Sequence, residues 1–211
     1  MLSAAFRTQA AREGEASERL REELREEAQA ERGQKLVLSG LKAAENGGKD
    51  DPDVELPFSV SQELQAHQRV GVQFMWDNMV LKGQGAILAH CMGLGKTLQA
   101  IAVVQAAWMR ASARKERLAV LIVAPVNTLS NWSAEFKQWL PRDENTPPIW
   151  SMGDPDAGRT NLERVKHLEA WYEEGGVMLI GYDAYRNMST GVHIKGKGCA
   201  AHSRCCSRLD P

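Results

Sequence analysis

Residues 85–99 (GAILAHCMGLGKTLQ) contain the side chains whose types and order could do chemistry. Gly93, Leu94 and Gly95 read as a tight turn, and Lys96-Thr97 opens an apolar-periodic stretch that predicts a helix. An anion is held well at such a junction, because the first turn of a helix presents N–H groups with no intrahelical partner and the macrodipole adds positive charge there. A lysine so placed reaches the β- and γ-phosphates of a nucleotide, and the hydroxyl that follows it ligates Mg²⁺. His90, Cys91 and Met92 complete the loop. The phosphate-loop pattern G-x-x-x-x-G-K-[ST] asks for glycine at position 90, where this chain has His90. The alternative is a glycine-containing strand-to-helix turn with an incidental Lys-Thr.

Flanking patterns supply the elements that must position this loop. Residues 86–89 read as a short buried strand before the turn, and 97–109 as the crossover helix after it. Upstream, 64–81 carries apolar residues at Val70, Phe74 and Leu81 and again at Val72, Trp76, Met79 and Val80, a face broad enough to predict a helix packed on a sheet. The continuous apolar run 118–124 (LAVLIVA) predicts a strand covered on both faces, as in a parallel sheet, and Pro125 stops it. Leu129, Trp132, Phe136, Trp139 and Leu140 mark one helix face, and the three aromatics read as core. A strand at 149–152, an amphipathic helix at 162–172 closed by Gly175-Gly176, and a buried strand at 177–182 (VMLIGY) follow. Alternating strands and helices predict an α/β fold, an open parallel sheet flanked by helices with right-handed crossovers.

The ends differ in character. Residues 10–32 are nearly all Ala, Glu, Arg, Gln and Leu, with Ala16, Leu20, Leu24 and Ala28 on one stripe. They predict a solvated helix that a protein partner could meet, within a charged extension spanning 1–45. Residues 46–57 (NGGKDDPDVELP) are polar, with two glycines and two prolines, and read as a linker to a domain spanning 58–190. Residues 191–211 lose regular patterning and form a basic tail expected to be unstructured.

Formal net charge is −1, so the chain as a whole is not a basic nucleic-acid binder. The first residues lack the apolar core of a secretory signal, and no apolar run is long enough to span a membrane, so no membrane is expected as a partner. Cys91, Cys199, Cys205 and Cys206 are then expected as thiols in a reducing compartment. Cys199, His202, Cys205 and Cys206 could invite a zinc assignment, but no paired knuckle accompanies them.

Four segments in one order, LQAHQRVGVQFMWDN, ILAHCMGLGKTLQ, VLIVAPVNTLSNWSAEFKQWL and GGVMLIGYDAYRN, resemble the N-terminal part of the first RecA-like lobe of the Swi/Snf-type helicase-like ATPases of superfamily two. The likeness covers about residues 64–187 and is greatest to the ATRX-like branch, which explains His90-Cys91 where most members carry Asp-Glu. The resemblance implies ATP and Mg²⁺ as cofactors, duplex DNA or chromatin as partner, and a nuclear location. It implies that Gln68 reads adenine, that His90, Cys91, Met92, Gly93, Leu94, Gly95 and Lys96 surround the phosphates, and that Thr97 meets the magnesium. Residues 125–131 and Gly181-Tyr182 resemble the segments that touch the DNA backbone, which gives Pro125, Asn127, Thr128, Asn131, Gly181 and Tyr182 as contacts.

Phosphoryl transfer also needs an acid on Mg²⁺, a group orienting water, and an arginine against the γ-phosphate. The family's Asp-Glu-Gly-His does not occur in this sequence, so no catalytic residue is assigned, and a truncated or spliced form of a longer ATPase is expected. The sole Asp-Glu, Asp143-Glu144, lies in a polar loop with no strand before it and is rejected as the acidic pair. Two alternatives stay open: a non-catalytic binding module, and an unrelated phosphate-loop enzyme using Asp183 as its magnesium aspartate.

Overall fold

The computed structural model describes residues 34–42, 51–140, 143, 145–154, 157–158 and 160–189. The expected helix at 10–32, the basic tail and the Cys199/His202/Cys205/Cys206 group lie outside them. Two short strands, β1 (Val37–Leu38) and β2 (Val54–Glu55), pair antiparallel. A single helical turn, α1 (Phe58–Ser61), then leads to α2 (Ala66–Met75), which continues as a π-helical turn over Trp76–Leu81. The long helix α3 (Lys96–Ala113) precedes β3 (Ala119–Ala124), and a 3₁₀ turn (Val126–Thr128) runs into α4 (Leu129–Trp139). β4 (Ile149–Ser151), α5 (Asn161–Glu174), β5 (Gly176–Gly181) and α6 (Tyr182–Ser189) complete the order.

β3, β5 and β4 form a parallel sheet with β5 in the centre, Ala119 opposite Gly176 and Ile149 opposite Val177. Side chains alternate along a strand, so β5 feeds two cores. Val177 and Leu179 join the larger cluster, with Val72, Trp76, Ile101 and Phe136, while Met178 and Ile180 join Leu168, Trp171 and Met188 on the other face. The fold is thus α/β with helices on both faces, a partial RecA-like lobe. Every residue of β5 is buried, as its apolar run predicts. β3 lies at the sheet margin and is mostly half-buried, less covered than its run predicts.

Local sequence explains several boundaries. Thr160 accepts from the Glu163 N–H while the Glu163 carboxylate accepts from the Thr160 N–H at 2.9 Å, a capping box that starts α5. Gly175 ends it at φ 83°, and Gly176 follows at φ 98° with room for no Cβ, since one would meet the Pro148 carbonyl oxygen at 2.4 Å. Trp132 and Trp139 pack as half-buried flanks around the fully buried Phe136, the core role expected of them.

Three expectations give way. Residues 86–89 are not a strand. They carry no regular structure and Ile87 is 87% exposed, because among the described residues no neighbouring strand supplies a ladder; of the four, only Leu88 touches the main core. The helix at 64–81 packs on α3 rather than on the sheet, burying Val72, Met75 and Trp76 and leaving Val70, Phe74 and Met79 exposed. The packed unit also reaches upstream of Phe58: Leu38, Val54 and Leu56 belong to the main core, within and beside the stretch whose composition reads as linker.

Asp51 lies in that stretch with its side chain 1% exposed, bonded to Arg110 Nε at 2.6 Å and to Arg114 Nη1 at 3.1 Å. Burial alone would raise its carboxyl pKa, but hydrogen bonds and charge from Arg110 and then Arg114 outweigh it and hold the group below the ordinary carboxylate range. The pair therefore ties the β1–β2 segment to the last turn of α3, where cationic side chains also suit the helix dipole.

Candidate nucleotide and backbone-phosphate sites

Gly95 sits at the N-cap of α3 with φ 67° and ψ 37°, the left-handed region that only glycine enters at little cost. A Cβ there would also meet Gln68 Nε2 at 2.2 Å, so the close approach of α2 to the loop depends on its absence. Three side chains converge on the loop carbonyls. Lys96 Nζ donates to His90 O and Cys91 O, each at 2.9 Å. Gln68 Nε2 donates to Leu94 O at 3.2 Å, and its Oε1 accepts from the Gln65 N–H at 2.9 Å. Gln99, fully buried, brings Nε2 within 3.2 Å of Leu94 O and of His90 Nδ1.

Gln99 was not assigned a role from sequence, although it stands four residues after Gly95 on the helix that the loop opens, one turn above the cap. Its Oε1 packs against α2 where Gly71 has no Cβ; one would meet that oxygen at 2.1 Å. The His67 and His90 rings meet edge to face, 5.7 Å apart. Cys91 is an exposed thiol and Met92 is 97% exposed, so the outer wall of the loop faces water.

The residues present fit a triphosphate with its cation. An ammonium, the leading N–H groups of an 18-residue helix and the Thr97 hydroxyl make a donor set for phosphate and magnesium. The Leu94 carbonyl is engaged by Gln99 as well as by Gln68, and Lys96 is folded onto the His90 and Cys91 carbonyls in this conformation. Gln68 stands beside the loop, and in this conformation both ends of its amide are committed.

The carboxyl ends of the three parallel strands share one edge of the sheet, the place where open α/β sheets bind ligands. Pro125, Asn127, Gly181 and Tyr182 line one cleft there, of about 700 Å³. Thr128 and Asn131 do not line it, and the Thr128 hydroxyl donates back to Pro125 O at 2.7 Å. Asp183 is 85% exposed and paired with Arg186 at 2.9 Å. Asp143 accepts from the Asn145 N–H and the Thr146 hydroxyl, a local turn consistent with its rejection as a magnesium acid. No group of three or more His, Cys, Asp or Glu suited to a metal occurs among the described residues, and none of their helices is long and apolar enough to cross a membrane.

A glycine turn opening into Lys-Thr at a helix start, in a layered parallel α/β unit, defines a phosphate-loop lobe of the RecA-like kind. A family model described as the SNF2-related domain matches residues 67–201, into the stretch where patterning fades. The chain is 41% identical over 156 residues to Protein CHROMATIN REMODELING 20 of Arabidopsis thaliana, covering 70% of this chain and 10% of that protein. It is 37% identical to Transcriptional regulator ATRX of Homo sapiens, covering 77% and 6%, and 36% identical to Helicase ARIP4 of Xenopus tropicalis, covering 68% and 11%. The chain belongs to the SNF2-related family, the Swi/Snf-type chromatin-remodelling ATPases of superfamily two, on its ATRX-like branch. It spans about a tenth or less of the length of these relatives.

Proposed function

We propose that the chain is the ATP-binding part of a nuclear, DNA-dependent translocase of the chromatin-remodelling type, holding Mg-ATP on the 90–97 loop and duplex backbone at the 125–131 and 181–182 segments. The observation that carries this reading is Gly95, left-handed at the head of α3, with Lys96 folded onto the His90 and Cys91 carbonyls. The Lys96 ammonium is placed to exchange those carbonyls for phosphate oxygens, and the Thr97 hydroxyl to take a magnesium position. Gln68 would trade its bond to Leu94 O for the adenine edge, since an amide offers both a donor and an acceptor. Bound Mg-ATP would supply the phosphoryl group and the charge-neutralising cation.

The chain's own residues bind and orient; the acidic pair and the arginine for hydrolysis are not among them, so turnover by these residues alone is not expected. The ATP-binding unit is residues 58–190 together with the upstream strands that pack on it, and the apolar stripe that the sequence pattern gives residues 10–32 would meet a protein partner. The test is titration of Mg²⁺ and a fluorescent ATP analogue into the purified chain. Lys96→Ala should abolish binding while Asp183→Ala leaves it intact. Unchanged affinity in Lys96→Ala refutes the phosphate-loop assignment, and collapse in Asp183→Ala moves the magnesium site to the start of α6.

A further inference from the structure

The duplex-contact cleft contains one cation that nothing else explains. Arg164, on the first turns of α5, lines it beside Pro125, Gly181 and Tyr182. Its Nε is buried with no hydrogen-bond partner, and among the described residues no carboxylate pairs with its guanidinium. The neighbouring acids are engaged elsewhere: Glu163 closes the capping box of α5, and Asp183, in the cleft wall, pairs with Arg186 on its own helix.

A partly buried charge without a counterion costs stability, so folding does not account for it. Its surroundings favour an anion. The cleft takes in the first residues of α6, whose leading N–H groups have no helical partner. A guanidinium beside such amides presents a planar donor fork, the geometry that matches a phosphate diester's two free oxygens.

We propose that Arg164 grips a backbone phosphate of the duplex, as a contact outside the segments already assigned to DNA. The claim rests on the duplex-binding reading above. It deepens that reading by naming the residue that closes the cleft on its ligand. Because the contact is to phosphate, it adds affinity and salt dependence without choosing sequence.

The test is fluorescence anisotropy of the full chain with a labelled duplex of about 30 base pairs, titrated with salt. Arg164→Gln should lower the slope of log affinity against log salt by about 0.9, one phosphate's worth. Between about 50 and 200 mM salt the wild-type chain then loses about 3.5-fold more affinity than the variant. Arg164→Lys should keep the slope and lose part of the affinity, since it retains charge but not the fork.

Thermal unfolding without DNA supplies the second readout. Arg164→Gln should melt at or above the wild-type temperature, because it removes an uncompensated charge. A lower melting temperature would show that the arginine holds the fold, and would overturn the proposal. Equal slopes and affinities for wild type and Arg164→Gln would overturn it while leaving the duplex reading in place. Absence of any salt-dependent duplex binding by the wild-type chain would remove both.

Discussion

Replacing Asp51 by Asn tests whether the upstream strands are part of the packed unit. The carboxylate is 1% exposed and serves two arginines, Arg110 at 16% and Arg114 at 29% exposure. Removing one partner of a fully buried pair costs about 3–5 kcal/mol. Both guanidiniums here keep some contact with water, which lowers the penalty to about 2–3 kcal/mol. For a unit of this size that is a fall of about 5–10 °C in melting temperature. The carboxyl pKa is depressed in the folded state, against burial, by Arg110 and Arg114. Its contribution is therefore complete above the unfolded value near 3.8 and disappears as pH falls through the folded value. Circular-dichroism melts of wild type and Asp51→Asn should differ at pH 7 and converge as the wild type is acidified below about pH 4. A triple variant, Asp51→Leu with Arg110→Met and Arg114→Met, should recover most of the loss, because apolar replacement of a whole ion cluster is often neutral. A difference under about 1 °C at pH 7 would refute the tether. A gap that stays constant into acid would refute its electrostatic basis.

Two further changes probe the frame that carries the sites. Gly176→Ala should cost at least about 2 kcal/mol in chemical denaturation, since φ is 98° and the new Cβ would meet the Pro148 carbonyl oxygen at 2.4 Å. Wild-type stability in that variant would show that the entry to β5 can relax. Thr160→Ala should cost about 1 kcal/mol by opening the capping box at the head of α5, with the midpoint of a urea titration as readout. Thr160→Ser should restore most of that loss, and failure to do so would mean that the methyl rather than the hydroxyl matters.

The sequence by itself determined whatever depends on short-range order. The apolar run of β5 reads as a buried strand, Gly175-Gly176 ends a helix, and Gly-Leu-Gly-Lys-Thr places a left-handed glycine at the head of α3. Residues 86–89 show where that logic stops. Their apolar pattern matches a buried strand, yet a strand exists only when a neighbour supplies its ladder, and pairing is a property of two distant segments. The same holds along α2, where the pattern offers two apolar stripes and packing against α3 chooses the one with Val72 and Trp76. Charge is decided in the same way. Asp51, in a polar Gly/Pro stretch, is buried because Arg110 and Arg114 lie one turn apart almost sixty residues downstream, while Arg164, ordinary in its own helix, is left without a counterion by the cleft it faces. Local sterics and hydrophobic period act within a few residues and can be read from the chain; hydrogen-bond ladders and charge compensation join residues that only folding brings together.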